Sequence, residues 1–194
     1  MQKPGYCSNI PKDPALYPQN DSKNQEVYIP TVMAKEKEIK TNVMRLLDKA
    51  KIPYEHCEYE VDENDLSGTH AANVMGVDHR MLFKTLVLHG DKSGYLVCVI
   101  PVDDEVDLKK AAKVSGNKKV EMIPMKELLP LTGYIRGGCS PIGMKKAFPT
   151  WIHESAEELS MIGVSAGQRG VQILLSPKDL AKYIRAQFAD IIVS

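Results

Sequence analysis

The fold turns on the stretch Met81-Leu82-Phe83-Lys84-Thr85-Leu86-Val87-Leu88, the turn Gly90-Asp91-Lys92-Ser93-Gly94 that follows it, and the run from Tyr95 to Val102. Two apolar runs on either side of a Gly-bounded polar turn read as two antiparallel strands of a hairpin. Side chains alternate along a strand, so Lys84 shares one face with Leu82, Leu86 and Leu88 while Phe83, Thr85 and Val87 take the other. Neither face reads as solvated. A cation embedded there is costly unless it is paired or opens into a polar cavity, which marks Lys84 as a grip for an anionic or carbonyl-bearing ligand. The plainer alternative is an edge-strand lysine reaching water along its apolar stem.

Outward from the hairpin, helical and strand periods mix without a regular repeat. Ile39, Val43, Leu46, Leu47 and Ala50 trace a helical face that Pro53 ends, and Tyr54 to Val61 alternates as a strand with Tyr59 near its end. Ser67 caps a short helix that stops at Gly76, and Asp107 caps another that ends at Gly116. Val120 to Ile123 reads as a strand, Met125 to Leu129 as a helical turn, and Thr150–His153, Met161–Ser165 and Val171–Leu175 as strands. Ser176-Pro177-Lys178-Asp179 opens a last helix, with Leu180, Ile184, Phe188 and Ile191 predicted on its buried face. This order predicts a mixed α+β domain, a mixed sheet wrapped by helices rather than a doubly wound fold. Residues 1–33, rich in Pro, Asn, Asp, Gln and Tyr, read as an irregular N-terminal arm, and 34–194 as the domain.

Composition narrows the function. Lys+Arg and Asp+Glu are 25 each, and this balance argues against gripping nucleic acid through a broad basic surface, though not against contact with an RNA end. The longest apolar stretch is strand-sized, so no membrane span is expected. Cys7, Cys57, Cys98 and Cys139 form no CxxC pair and read as reduced thiols of a cytoplasmic protein. His56-Cys57 lacks ligand spacing and no second pair follows it, so neither zinc nor another cofactor is expected.

Two glycine loops remain. Thr132-Gly133-Tyr134-Ile135-Arg136-Gly137-Gly138-Cys139-Ser140-Pro141-Ile142-Gly143 can bring backbone N–H groups close to a carbonyl or phosphate oxygen, but it matches neither a Walker A loop nor GxGxxG. Taken alone, it reads more readily as a tight structural loop. Cys139 has no histidine near it in sequence to activate it as a nucleophile. Val164-Ser165-Ala166-Gly167-Gln168-Arg169-Gly170, taken alone, is a hairpin turn with an exposed Arg169.

In combination these segments say more. Phe83-Lys84-Thr85-Leu86, Asp107-Leu108-Lys109-Lys110-Ala111-Ala112, Lys118-Lys119-Val120-Glu121-Met122, Thr132-Gly133-Tyr134, Gly137 to Gly143 and Val164 to Gly170 occur in an order that resembles the YbaK/EbsC family, relatives of the editing insertion of bacterial prolyl-tRNA synthetases. The resemblance covers about residues 35 to 192. It implies a mixed β-sheet curled into a partly open barrel with helices around it, and trans-editing deacylation of a mischarged aminoacyl-tRNA, with Cys-tRNA(Pro) the best-known substrate and alanine esters a sister one. A non-catalytic RNA-end or synthetase-binding module of the same fold is the alternative.

The resemblance also implies a site. Lys84 matches the family's strand lysine, the catalytic candidate, which would hold the 3′-terminal adenosine or its phosphate, or steady the ester carbonyl. Thr85, Tyr59, the loop Gly137, Gly138, Cys139, Ser140 and Pro141, and the turn residues Ser165, Gly167 and Arg169 match its substrate-binding positions. Gln172 departs from the pattern: in Val171-Gln172-Ile173 it stands where cysteine-clearing members usually carry Asp, so it bears on which amino acid is chosen. The implied partners are an aminoacyl-tRNA 3′ end, held weakly, and a prolyl-tRNA synthetase.

Overall fold

The Lys84 segment forms one arm of a hairpin in the computed structural model, which describes Tyr6–Cys7 and residues 39–193. Strand β3 (Phe83–Gly90) pairs antiparallel with β4 (Gly94–Pro101), Lys84 opposite Ile100 and Gly90 opposite Gly94. Parallel pairing then extends the sheet from β4 to β6 (Thr150–His153) and from β6 to β9 (Gln187–Ala189), while β5 (Val120–Met122) lies along the far end of β3. A second, antiparallel sheet has the order β1 (Tyr6–Cys7), β2 (Glu55–Glu58), β8 (Val171–Leu175), β7 (Ile162–Gln168). The sheets meet where Leu82 bridges to Gly163. A Cβ on Gly163 would lie 2.3 Å from Leu82 Cδ2, so glycine permits that approach. Among the described residues, strands of both orientations with five α-helices make this a mixed α+β fold, as the sequence predicts.

Local chemistry explains the helices. Helix α1 (Asn42–Ala50) begins where Thr41 accepts a hydrogen bond from the Met44 amide, and it buries Val43, Met44 and Leu47. Helix α2 (Gly68–Met75) is capped by Ser67, and α3 (Leu108–Val114) by Asp107, whose carboxylate accepts from the Lys109 and Lys110 amides. Helix α4 (Met125–Thr132) runs three residues past the predicted turn and contains Pro130. Helix α5 (Pro177–Ile184) starts on the Ser176 cap.

Three readings are corrected. Helix α5 does not continue to Ile191: Arg185 adopts the left-handed conformation, with φ 57°, and Phe188 joins β9 beside β6. The sheet edge offered by β6 outweighs a helical period that the sequence carries as far as Ile191. The arm is not irregular at Tyr6–Cys7, which pairs with β2. The rest of that arm lies outside the described residues. Cys57, opposite Cys7 in the β1–β2 register, is disulfide-bonded, whereas Cys98 and Cys139 are free. Strand pairing brings together chain positions that no spacing in the sequence encodes.

The main core lies between the sheets and α1 and α5, with Leu47, Val99, Ile152, Ile162, Val164, Ile173 and Leu180 inaccessible to water and Leu175 nearly so. Truncating one such leucine or isoleucine to alanine costs about 2–5 kcal/mol. Tyr134 and Ile142 of the first glycine loop belong to this core, so the loop is fastened to it at two points.

Candidate functional site

Strand β5 covers β3 only at Leu88, His89 and Gly90. The other half of β3 therefore has one uncovered edge, and a cavity of about 500 Å³ runs along it. Residues from Leu82 to Val87 line that cavity continuously, from both faces of the strand, because the opening lies at its edge. The opposite wall carries Ser165 of β7 and Gln172 of β8, paired in register, and Tyr59 stands at the end of β2. Gly137 and Cys139 of the first glycine loop close one side. Of the residues singled out in the sequence, Tyr59, Lys84, Thr85, Gly137, Cys139, Ser165 and Gln172 thus share one cavity.

Lys84 is half-buried, and its Nζ donates to the Val102 carbonyl at 2.9 Å. Burial lowers its pKa below the ordinary lysine value, against the pull of Asp104, Glu105 and Asp103 in the loop after β4. An ammonium has three protons to donate, so one carbonyl leaves capacity for a ligand. Thr85 Oγ1 and Gln172 Oε1 are buried without a hydrogen-bond partner. Buried polar atoms are nearly always paired, and two orphans in one cavity are the groups a polar ligand would satisfy. The Ser165 hydroxyl, by contrast, already accepts from the Gly167 amide.

Gly138, Ser140, Pro141, Gly167 and Arg169 do not line the cavity; their surroundings brace its wall. The Gly138 amide donates to Ile135 O, so it is not free to orient a substrate. A Cβ there would lie 3.2 Å from the Arg169 nitrogen, which shows how closely the two glycine loops touch. Arg169 Nε donates to Arg136 O at 2.9 Å and its Nη1 to Glu63 at 2.7 Å, tying the loops together. Ser140 is buried and accepts from the Ile142 amide, while the Tyr134 hydroxyl donates to Ile142 O. Pro141 is buried in the same loop. Gly167, at φ +87°, carries no Cβ because one would lie 2.8 Å from the Tyr134 ring. Burial pushes the Cys139 thiol up to about 12, so it stays protonated at neutral pH, the opposite of an activated nucleophile.

The structure adds wall residues that the sequence left unmarked. Leu66, Ser67 and Gly68 bring the N-terminal end of α2 to the cavity, and Arg136 adds a second cation to its lining. The helix N-terminus and the two cations favour an anionic group in the cavity, against Asp103, Asp104 and Glu105 near Lys84. Ser67 was readable as a cap, but its place beside Lys84 follows from α2 packing on Val102. A Cβ on Gly68 would meet the Val102 side chain at 2.2 Å. Met122, Met125 and Leu128 complete the apolar side.

Comparison with known proteins gives this geometry a context. The aminoacyl-tRNA editing domain family matches residues 67–183. The proposed Cys-tRNA(Pro)/Cys-tRNA(Cys) deacylase EbsC of Enterococcus faecalis is 52% identical over 160 residues, which cover 82% of this chain and 98% of that protein. The uncharacterized protein YwhH of Bacillus subtilis is 26% identical over 124 residues, 64% of this chain and 78% of its own length. Among solved structures, a proposed trans-editing enzyme for prolyl-tRNA synthetase superposes with a TM-score of 0.68 at 21% identity, over 81% of this chain and all of that one, a likeness of fold.

Proposed function

The chain belongs to the aminoacyl-tRNA editing domain family, and from that premise we propose that it is a trans-editing deacylase that hydrolyses the ester of a mischarged tRNA, Cys-tRNA(Pro) first among its substrates. The observation that carries this reading is the convergence of the Lys84 ammonium with two unpartnered polar atoms, Thr85 Oγ1 and Gln172 Oε1, in one cavity. An aminoacyl ester is already activated, so positioning and polarisation of its carbonyl suffice. Lys84 steadies the carbonyl oxygen or the terminal adenosine as charge develops. Water adds to the carbonyl carbon, the bond to the ribose oxygen breaks, and the free amino acid and a tRNA with its terminal hydroxyl restored are the products. With a cysteinyl ester the substrate's own thiol can displace the ribose oxygen first, forming a cyclic thioester that water then opens.

Tyr59, Gly137, Cys139 and Ser165 shape the space for a small amino acid, and the braced loop of Gly138, Ser140, Pro141, Gly167 and Arg169 holds that wall. The two sheets, joined at Leu82–Gly163, support reading the fold as a partly open barrel whose gap is this cavity. Residues 34–194 form the deacylase domain in this reading. It acts in the cytoplasm on the 3′ end of its substrate, alongside a prolyl-tRNA synthetase that selects the tRNA body. Among the described residues no helix is long and apolar enough to cross a membrane. Gln172, a neutral amide where the family resemblance implies an aspartate for cysteine-clearing members, keeps alanine esters as the second substrate to try. Incubation with Cys-, Ala- and Pro-charged tRNA(Pro) and measurement of ester loss is the test. Selective loss of the cysteinyl ester is expected. Equal persistence of all three would leave a non-catalytic RNA-end module instead.

A further inference from the structure

One side of the cavity does not end at its mouth. Met122, the last residue of β5, and Met125, in the first turn of α4, line the cavity and are 46% and 57% exposed. Leu129 lies one helical turn beyond Met125 and is 50% exposed. The three side chains make an apolar lip that runs outward from the cavity, while Leu128 of the same helix turns inward and packs on the core. Exposed apolar side chains in a contiguous group mark a binding surface more often than chance would place them.

Cations stand close to the lip. Arg136 lines the cavity, exposed Lys126 neighbours Met125 in α4, and Lys145 Nζ donates to the Leu129 carbonyl at 3.3 Å. Two acids lie there as well: Glu121, next to Met122, pairs with Lys119 at 3.1 Å, and Glu127, in α4, accepts from the Tyr95 hydroxyl at 3.4 Å. An apolar platform flanked by cations suits a flexible strand with flat faces and anionic links. Bases of a single-stranded RNA end rest on apolar or sulfur-bearing side chains while lysine and arginine meet the phosphates.

We infer that the Met122–Met125–Leu129 lip is the docking surface for the single-stranded 3′ end of the tRNA, seating the nucleotides just before the terminal adenosine while the ester enters the cavity. The inference rests on the deacylase reading for its occupant, and on the continuity of lip and cavity for its place. It also fits a chain without net charge, because the grip is local and half apolar.

The test replaces Met125 and Leu129, separately and together, by glutamate, a good helix former that should leave α4 folded. Each variant is assayed on Cys-tRNA(Pro), on cysteine methyl ester, and for binding of a short single-stranded RNA ending in CCA. For the double variant, KM on the charged tRNA should rise roughly tenfold or more, as loss of one stacked base would cause. For Leu129→Glu alone, which lies outside the cavity lining, kcat and the rate on the methyl ester should not change, while RNA binding should weaken. Met125→Leu should keep wild-type KM. Unchanged KM and RNA binding in the double variant overturn the inference. So does a defect seen only when prolyl-tRNA synthetase is added, which would assign the lip to that protein. A change in sedimentation mass on substitution would assign it to a second copy of the chain, with the same result. If the wild-type protein cleaves no ester, yet its RNA binding still depends on Met125 and Leu129, the docking surface stands and the deacylase reading falls.

Discussion

The strand-borne and loop-borne halves of the site use their polar groups in opposite ways. On β3 and β8, Thr85 Oγ1 and Gln172 Oε1 are buried without partners, and the Lys84 ammonium has protons to spare beyond Val102 O. In the glycine loops nearly every polar group named above is engaged within the protein: Gly138 with Ile135, Ser140 with Ile142, Tyr134 with Ile142, Arg169 with Arg136 and Glu63. Strands backed by a sheet can keep polar atoms unpaired because the ladder already holds the backbone. Loops have no ladder and hold their shape only through such bonds. Glycine-rich loops resemble ligand cradles in sequence, yet here they are chiefly scaffolding.

Substitutions on the two halves should therefore fail differently. The largest effect is expected from Lys84→Ala, which should lower deacylation by on the order of 100-fold, the scale of removing one preorganised electrostatic contact. Its urea unfolding midpoint should stay near that of the wild type. Lys84→Arg should lose activity as well, since a planar fork does not replace a compact ammonium in a confined site. A Lys84→Ala protein that deacylates normally would remove the strand half from the chemistry.

Next comes Gly167→Ala, which places a Cβ against Tyr134 at a positive φ. A loss of about 2 kcal/mol or more in chemical denaturation is expected, with activity falling only in step with the folded fraction. Stability equal to the wild type would mean that the loops are not the brace described here.

A smaller, graded effect should appear in the pH profile. Deacylation that depends on the Lys84 cation is present below its folded pKa and lost as pH rises through it. Burial lowers that pKa, so the alkaline limb should fall at lower pH than for an exposed lysine. Stability should respond with the opposite sign. The unfolded chain holds this proton more tightly, so the folded state gains stability as pH rises from the lowered pKa to the ordinary one. An alkaline limb that is unchanged in Lys84→Ala would assign the titration to another group.

The smallest effect is expected at Cys139. Its half-buried, protonated thiol predicts that Cys139→Ala keeps most activity and that alkylating reagents react slowly. Mass spectrometry that finds an acyl group on Cys139 during turnover would reverse this assignment and make the loop half catalytic.

Much of the fold was legible because it is written in local chemistry. The Gly90–Gly94 turn, the Ser67, Asp107 and Ser176 caps and the left-handed Gly76 each set an element boundary through bonds a few residues long. Lys84 stood out for the same kind of reason, a charge in a strand whose two faces are both apolar. Where long-range pairing competes with a local period, the period loses. Phe188 and Ile191 continue the helical spacing of α5, yet Arg185 breaks the helix and Phe188 pairs beside β6. The bond at Cys57 is beyond sequence spacing for the same reason.

The sequence by itself thus determined the hairpin, the capped helices, a lysine set in an apolar strand and, through ordered motifs, the family. Only the tertiary structure decided that β5 stops short along β3 and leaves an open edge, that Gln172 and Ser165 face it across the gap, that Arg136 and the start of α2 bring positive charge to the cavity, and that Met122, Met125 and Leu129 form its lip. A cavity is the space left between elements distant in the chain, so its walls depend on how those elements pack, which no local pattern of residues records.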